Sequence, residues 1–252
     1  MSDYDRGFPR AAPAGSADMA VDAGLRAFML GVYNKLALGL LLSAGLAYLT
    51  ADFAPARELL YVVTPDGRLG FTALGMAIKF APLLVILVGM FGMRNPSPRS
   101  AAIYYWGLVA LIGAGLGVWV LQYTGASLAT TFLVTATAFG GLSLYGYATK
   151  KDLSGFGSFL LVGLIGIIVA MIANMFLHSA MIQFVVSIIG VLIFAGLIAF
   201  DTQRLKMTYY ALGGNQAAMS VATSYGALSL YLDFLNLFQF LLMIFGGGGN
   251  RR

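Results

Sequence analysis

Seven apolar segments, each long enough to cross a bilayer, are the feature of this sequence that most restricts its fold. A helix needs about 20 apolar residues to span a hydrocarbon core that is about 30 Å thick. Because lipid offers no hydrogen-bond partners, each segment must satisfy its backbone polar groups internally, as a helix does. We therefore predict an all-α integral membrane protein in which seven transmembrane helices form one bundle. The predicted spans are about 26–50, 72–93, 101–122, 127–149, 154–176, 181–202 and 220–245.

The composition agrees with a membrane protein and excludes several functional classes. Charged residues make up 10% of the chain, against about 25% in soluble proteins, and the mean hydropathy is +0.85. Cysteine is absent and His178 is the single histidine, which excludes disulfides, zinc–thiolate sites and multi-histidine metal sites within one chain. No Gly-rich phosphate loop joins a strand to a helix, so a nucleotide-binding enzyme is excluded. We expect no resident cofactor.

The polar ends of the chain define its predicted domains. Residues 1–24 are rich in Ala, Gly, Pro and Asp and are expected to form a disordered cytoplasmic tail. The transmembrane domain is predicted over 25–246, and a short C-terminal tail over 247–252.

The distribution of Lys and Arg predicts the orientation. Because basic residues favour the cytoplasmic side, the N-terminus is predicted inside, and seven spans then place the C-terminus outside. The bases also lie at the ends of spans rather than on one face, which argues against a nucleic-acid partner. The predicted inner residues are Arg6, Arg10, Arg26, Arg94, Arg99, Lys150, Lys151, Arg204 and Lys206, and the outer ones are Arg57, Arg68, Arg251 and Arg252. Lys35 and Lys79 lie inside predicted spans and are expected to extend their side chains to the interfaces.

The last span carries a polar stripe on an otherwise apolar helix. At 100° per residue, its polar side chains fall within about one third of the circumference. Such a helix belongs in the middle of a bundle, with the stripe facing protein or water. Asp233 lies well inside this span, and a carboxylate in hydrocarbon costs about 3 kcal/mol, so it needs a partner or a function. The residues of the stripe are Tyr225, Ser229, Asp233, Asn236 and Gln239.

Two aspartates and one arginine are predicted at a similar depth near the cytoplasmic face. Asp201 ends the sixth span, Asp233 lies in the inner half of the seventh, and Arg94 ends the second. Two carboxylates that approach each other resist double ionisation, whereas a guanidinium favours the charged pair, so this triad can switch with pH. The two carboxylates are also candidate ligands for Ca²⁺.

Simpler interpretations of the same residues stay open. Asp201 can pair with Arg204 one helical turn on, or be hydrated at the interface. Arg94 can be a topology anchor, and Asp233 can make a hydrogen bond that only packs helices.

Three motifs resemble the Bax-inhibitor family of membrane proteins: GALSLYLDFLNLFQFLL (226–242), FDTQRLK (200–206) and GYATKKDLSGFGSFL (146–160). The resemblance covers the chain after the tail and implies seven transmembrane helices, the last enclosed by the other six. Bacterial members are described as pH-sensitive Ca²⁺ leak channels with a di-aspartyl sensor. The motifs place that sensor on Asp201 and Asp233, and position places the latch of the bacterial prototype on Arg94. Lys79 marks a departure, because the second span contains no acidic residue.

The sequence thus favours a non-enzymatic, pH-gated Ca²⁺ leak in a bacterial inner membrane, with Ca²⁺, protons and the lipid bilayer as its partners. Asp201 and Asp233 are the expected pH sensor and ion pathway, Arg94 the expected latch, and Tyr225, Ser229 and Asn236 the supporting stripe. One alternative is a non-conducting regulator of membrane-protein quality control, whose tail would bind a partner such as a membrane protease. A second is an intramembrane aspartyl protease, which also needs two aspartates. That class is expected to carry GxGD where this chain has LYLD at 230–233.

Overall fold

The computed structural model describes residues 14–65, 67 and 69–246, with side chains described from residue 23 onward. Part of the predicted N-terminal tail (1–13) and the predicted C-terminal tail (247–252) lie outside the described residues. The first helix begins at Ala14, so residues 14–24 are helical where disorder was expected.

The described residues form nine helices and two short strands, and seven segments are long and apolar enough to cross a membrane. The predicted all-α membrane bundle with seven spans is therefore confirmed. The elements are α1 (Ala14–Asp52), α2 (Ala54–Leu60), β1 (Tyr61–Val63), β2 (Leu69–Phe71), α3 (Ala73–Gly92), α4 (Pro98–Gly115), α5 (Gly117–Gln122), α6 (Gly125–Ala148), α7 (Ser154–Leu177), α8 (Ala180–Leu212) and α9 (Gln216–Phe245).

The connection between the first two spans contains structure that the sequence analysis did not predict. After α2, strands β1 and β2 pair antiparallel, with Tyr61 opposite Phe71 and Val63 opposite Leu69. The end of the bundle that carries these strands is called the hairpin end. The opposite end, with the turns at 93–97, 149–153 and 213–215, is called the basic end.

Short polar residues define where five of the helices begin. In each case a side-chain oxygen accepts a hydrogen bond from the backbone N–H three residues later, which satisfies one of the free donors of the first turn. These N-caps are Thr72, Ser97, Thr124, Ser179 and Asn215. At the end of α8, Gly213 adopts φ 56°, a left-handed conformation that favours glycine, and the chain turns there into α9.

Helix α9 lies at the centre of the bundle. It packs against α1, α4, α6 and α8, whereas α3 packs mainly on α4 and α7 mainly on α8. Leu230, Tyr231 and Leu237 on α9 are almost completely buried. The predicted central position of the C-terminal helix is confirmed, and α8 is its most extensive neighbour.

Candidate functional site: a buried carboxyl pair between α8 and α9

The structure brings Asp201 and Asp233 together at the interface of α8 and α9. Both residues are buried, with relative exposures of 6% and 7% for the whole residue. The sequence analysis placed Asp201 at the end of a span, but α8 continues through residues 202–212, which adds about 16 Å at 1.5 Å per residue. Asp201 therefore lies within a long helix, one side of which faces α9.

Two neighbours hold the carboxylate of Asp201. Nη2 of Arg204 lies 3.2 Å from its Oδ1, one helical turn farther along α8. The hydroxyl of Ser229 on α9 donates a short hydrogen bond to its Oδ2. Nη2 of Arg204 also lies 3.2 Å from Oγ of Ser229. These three side chains thus form a closed set of contacts that ties α8 to α9.

Asp233 contacts this set from one helical turn beyond Ser229. Its carboxyl group lies close enough to Asp201 and Arg204 to interact electrostatically with both. A contact between two carboxyl groups is a hydrogen bond only when one of them carries a proton. Among the described residues, the buried Oδ2 of Asp233 has no hydrogen-bond partner. Since buried polar atoms are nearly always paired, this oxygen is suited to accept a proton or a cation.

A second polar network fixes α8 next to the carboxyl pair. Oγ of Ser143 on α6 lies 2.9 Å from Oγ1 of Thr202 and 2.7 Å from the hydroxyl of Tyr33 on α1. Thr202 also donates to the backbone carbonyl of Ile198. Because Thr202 follows Asp201 directly, this network positions the helix segment that carries the carboxylate. The sequence analysis did not identify these three residues.

The structure corrects the predicted position of Arg94 in the triad. Arg94 lies exposed at the turn between α3 and α4, beside Met93, Asn95 and Tyr104. Within the described part of the chain its guanidinium makes no ion pair, and the base beside Asp201 is Arg204. The pairing of Asp201 with Arg204, which the sequence left open as the simpler interpretation, is the one observed.

The other residues of the predicted stripe have different neighbours. Ser229 belongs to the carboxyl site, as described above. The hydroxyl of Tyr225 lies 3.9 Å from Sδ of Met93, near the α3–α4 turn. Nδ2 of Asn236 donates to the carbonyl of Leu232 at 2.8 Å. The stripe therefore extends along α9 without forming a single site.

Asn236 lines a cavity of about 530 Å³ near the hairpin end. Residues of α3, α4, α5 and α9 surround it. Its polar lining consists of Lys79, Gln122, Asn236 and Gln239. Leu232, which precedes Asp233, also lines the cavity. The cavity thus extends along α9 from the hairpin end as far as the residue before Asp233.

The carboxyl site offers few ligands for a tightly bound metal ion. Ca²⁺ takes six to eight oxygen ligands. No group of three or more His, Cys, Asp or Glu residues that could hold a metal occurs among the described residues. Both oxygens of Asp201 already contact Arg204 or Ser229. The protein ligands at this site are therefore fewer than a tightly bound Ca²⁺ ion takes.

Comparisons with known proteins agree with the resemblance of the three motifs. The family model described as inhibitor of apoptosis-promoting Bax1 matches residues 25–251. An uncharacterized protein of Caulobacter vibrioides is 60% identical over 247 residues, covering 98% of this chain and 99% of that protein. The inner membrane protein YbhL of Escherichia coli is 41% identical, covering 91% and 94%.

Protein RP147 of Rickettsia prowazekii is 40% identical over 237 residues, covering 94% of this chain and 95% of its own. The match to the family model includes both aspartates, six complete spans and all but the first two residues of the first span. This chain, a multi-pass membrane protein with a central C-terminal helix, therefore belongs to the Bax-inhibitor family.

Proposed function

We propose that the protein is a pH-sensitive Ca²⁺ leak channel that is gated by protonation of Asp201 and Asp233. The observation that carries the proposal is the buried contact between the two carboxyl groups, in which Oδ2 of Asp233 lacks a hydrogen-bond partner among the described residues. Two neighbouring carboxylates resist double ionisation, so the pair is suited to share one proton.

Arg204 supplies the closing interaction. With Asp201 ionised, Arg204 and Ser229 hold α8 against α9. A proton on Asp201 removes its charge and weakens the ion pair with Arg204. Acidification thus favours separation of the two helices, and deprotonation favours their return.

Ca²⁺ is the transported ion in this proposal. A hard cation prefers carboxylate and hydroxyl oxygens, which Asp201, Asp233 and Ser229 supply. The cavity that ends at Leu232 provides an approach from the hairpin end. In the closed arrangement Arg204 opposes a cation at the pair, so gating and permeation use the same carboxylates.

The proposed location is the inner membrane of a bacterium, as for YbhL. The N-terminus and the basic end face the cytoplasm, because most Lys and Arg residues lie there. In this orientation the carboxyl pair responds to cytoplasmic pH.

Flux measurements on purified protein in sealed liposomes test the proposal. Ca²⁺ entry, followed with an enclosed fluorescent indicator, should rise as the pH falls. Asp233→Asn should abolish the pH dependence, and Asp201→Asn should do so as well, because either change removes the shared proton. Asp152→Asn is the matched control, since Asp152 lies on the exposed α6–α7 turn and accepts a local hydrogen bond from the backbone N–H of Ser154.

Unchanged pH dependence in both Asp233→Asn and Asp201→Asn would reject the assignment. Absent flux from correctly folded parent protein would reject the channel itself and favour the partner-binding regulator.

The carboxyl contact is also the arrangement that an intramembrane aspartyl protease needs. We favour the channel because LYLD replaces the expected GxGD at the second aspartate. Cleavage of a transmembrane reporter by the parent, lost in Asp201→Asn, would establish the protease instead.

A further inference from the structure

Within the described part of the chain, the cavity at the hairpin end is lined by a single charged residue. Of the residues that line it, Lys79 is the charged one, and Gln122, Asn236 and Gln239 contribute neutral amides. Among the described residues, none of those that line this cavity is acidic. Its electrostatic character within the described structure is therefore set by one ammonium group.

Lys79 is held at the edge of the cavity by aromatic rings. Its Nζ lies 4.6 Å from the ring centroid of Phe71 on β2 and 5.8 Å from that of Phe80 on α3. Phe71 also lines the cavity. A cation over an aromatic face is attracted to the ring, so the hairpin keeps this ammonium near the cavity.

The cavity that Lys79 lines extends along α9 as far as the residue before Asp233. Asn236 and Leu232 are one helical turn apart on α9, and Leu232 precedes Asp233. Helix α3 packs on α4 rather than closely on α9, which leaves the space between them. An ion that travels from the hairpin end to Asp233 along this space passes the ammonium.

We propose that this cavity is a water-accessible vestibule and that Lys79 sets its charge selectivity, opposing divalent cations and favouring anions. The repulsion doubles for an ion of charge +2, so Ca²⁺ is opposed more strongly than a monovalent cation. The part of the inference that concerns ion flux rests on the proposed channel function, whereas the selectivity of entry into the vestibule does not.

Cysteine labelling tests the vestibule without any flux. The chain contains no cysteine, so Asn236→Cys introduces the single thiol. In liposomes, this thiol should react faster with an anionic sulfonatoethyl methanethiosulfonate than with its cationic trimethylammonioethyl counterpart. Adding Lys79→Glu should lower the anion-to-cation rate ratio at least threefold, and Lys79→Gln should give an intermediate ratio.

Arg57→Glu is the matched control for surface charge. Arg57 lies exposed on α2 at the same end of the bundle but does not line the cavity. The substitution Arg57→Glu makes the same change in charge as Lys79→Glu and should leave the anion-to-cation rate ratio unchanged. No reaction with either reagent, or an equal effect of Arg57→Glu, would overturn the inference.

Flux then tests the consequence for Ca²⁺. At acidic pH, Lys79→Glu should raise Ca²⁺ flux relative to K⁺ flux at least threefold, while Lys79→Arg leaves it unchanged and neither moves the pH midpoint. If flux depends on pH but the ratio of Ca²⁺ to K⁺ flux is the same in Lys79→Glu as in the parent, the inference about Lys79 is rejected and the proposed channel function stands. If the labelling of Asn236→Cys is charge-selective but the parent protein shows no ion flux, the proposed channel function is rejected and the vestibule stands.

Discussion

Arg204 forms an ion pair with Asp201 in which Nη2 and Oδ1 lie 3.2 Å apart, and the two side chains differ sharply in exposure, at 53% and 8%. The guanidinium is therefore open to its surroundings at the basic end, whereas the carboxylate is enclosed between α8 and α9. The exposed Arg204 side chain can move away from Asp201, and the carboxylate of Asp201 is then left as a buried charge without its ion-pair partner. This asymmetry suits a contact that responds to protonation of its buried member.

Replacement of Arg204 by Ala should raise Ca²⁺ leak at neutral pH. A half-exposed ion pair contributes up to about 1 kcal/mol, so its loss should shift the ratio of closed to open protein by roughly fivefold. The change should flatten the pH dependence, because protonation of Asp201 no longer releases a partner. Liposome flux at pH 7 and at acidic pH measures both effects.

Arg94→Ala is the informative comparison for this variant. Arg94 lies exposed at the α3–α4 turn, so its loss should leave the neutral leak close to that of the parent. A larger leak from Arg94→Ala than from Arg204→Ala would restore Arg94 as the latch and contradict the role assigned to Arg204.

Ser229→Ala should raise Ca²⁺ leak at neutral pH. The Ser229 hydroxyl on α9 donates to the carboxylate of Asp201 on α8, and a hydrogen bond to a charged group contributes about 1.5–3 kcal/mol. Without this donor, the contact that holds α8 against α9 is weaker, so liposome flux at pH 7 should exceed that of the parent. Thr223→Ala, which removes a hydroxyl that bonds to the carbonyl of Met219 within α9, should leave the neutral leak unchanged.

The membrane bundle and its central helix were predictable from the sequence because both follow from local patterns. A run of about 20 apolar residues identifies a span by itself, and the stripe around Asp233 identifies the helix that needs partners on several sides. The three-residue spacing of Asp201 and Arg204 also signals a neighbouring pair on one helix face. The sequence analysis noted that spacing but preferred Arg94 on grounds of depth.

The structural features that the sequence analysis did not predict depend on contacts between separate segments of the chain. The strands at 61–63 and 69–71 pair across a turn within a connection that shows no apolar alternation. Tyr33, Ser143 and Thr202 come from three helices, so no spacing in the sequence connects them. Depth in the membrane gives the position of a residue along the membrane normal only. It does not show which helix a side chain faces, and for Arg94 that direction is set by packing of α3 on α4.

Gly146→Ala should destabilise the bundle. An added Cβ at Gly146 on α6 would clash with the backbone carbonyl oxygen of Ala199 on α8, two residues before Asp201. Because backbone cannot rotate away, the helices must move apart, at a cost of about 1–3 kcal/mol. Thermal unfolding in detergent measures this loss.

Gly141→Ala on the same helix is the control, because a Cβ there meets no atom within 4 Å. It should leave the unfolding temperature unchanged or raise it slightly, since Ala favours the helix over Gly. Equal destabilisation by both variants would contradict a specific close approach at Gly146.

Lys35 and Ser224 allow a test of whether an intramembrane lysine is held by protein or extends to the interface. The sequence analysis expected Lys35 to extend to the interface. In the structure, Nζ of Lys35 lies 2.7 Å from Oγ of Ser224 and 5.3 Å from the ring centroid of Tyr105. Ser224→Ala should therefore cost about 1–3 kcal/mol of stability, because the ammonium loses its acceptor. Lys35→Met should cost much less, since the methionine fills similar space and Ser224 keeps its bond to the carbonyl of Ser220. The double variant should then match Lys35→Met, so the two effects should not add. Additive losses in detergent unfolding, or no loss in Ser224→Ala, would show that Lys35 reaches the interface instead.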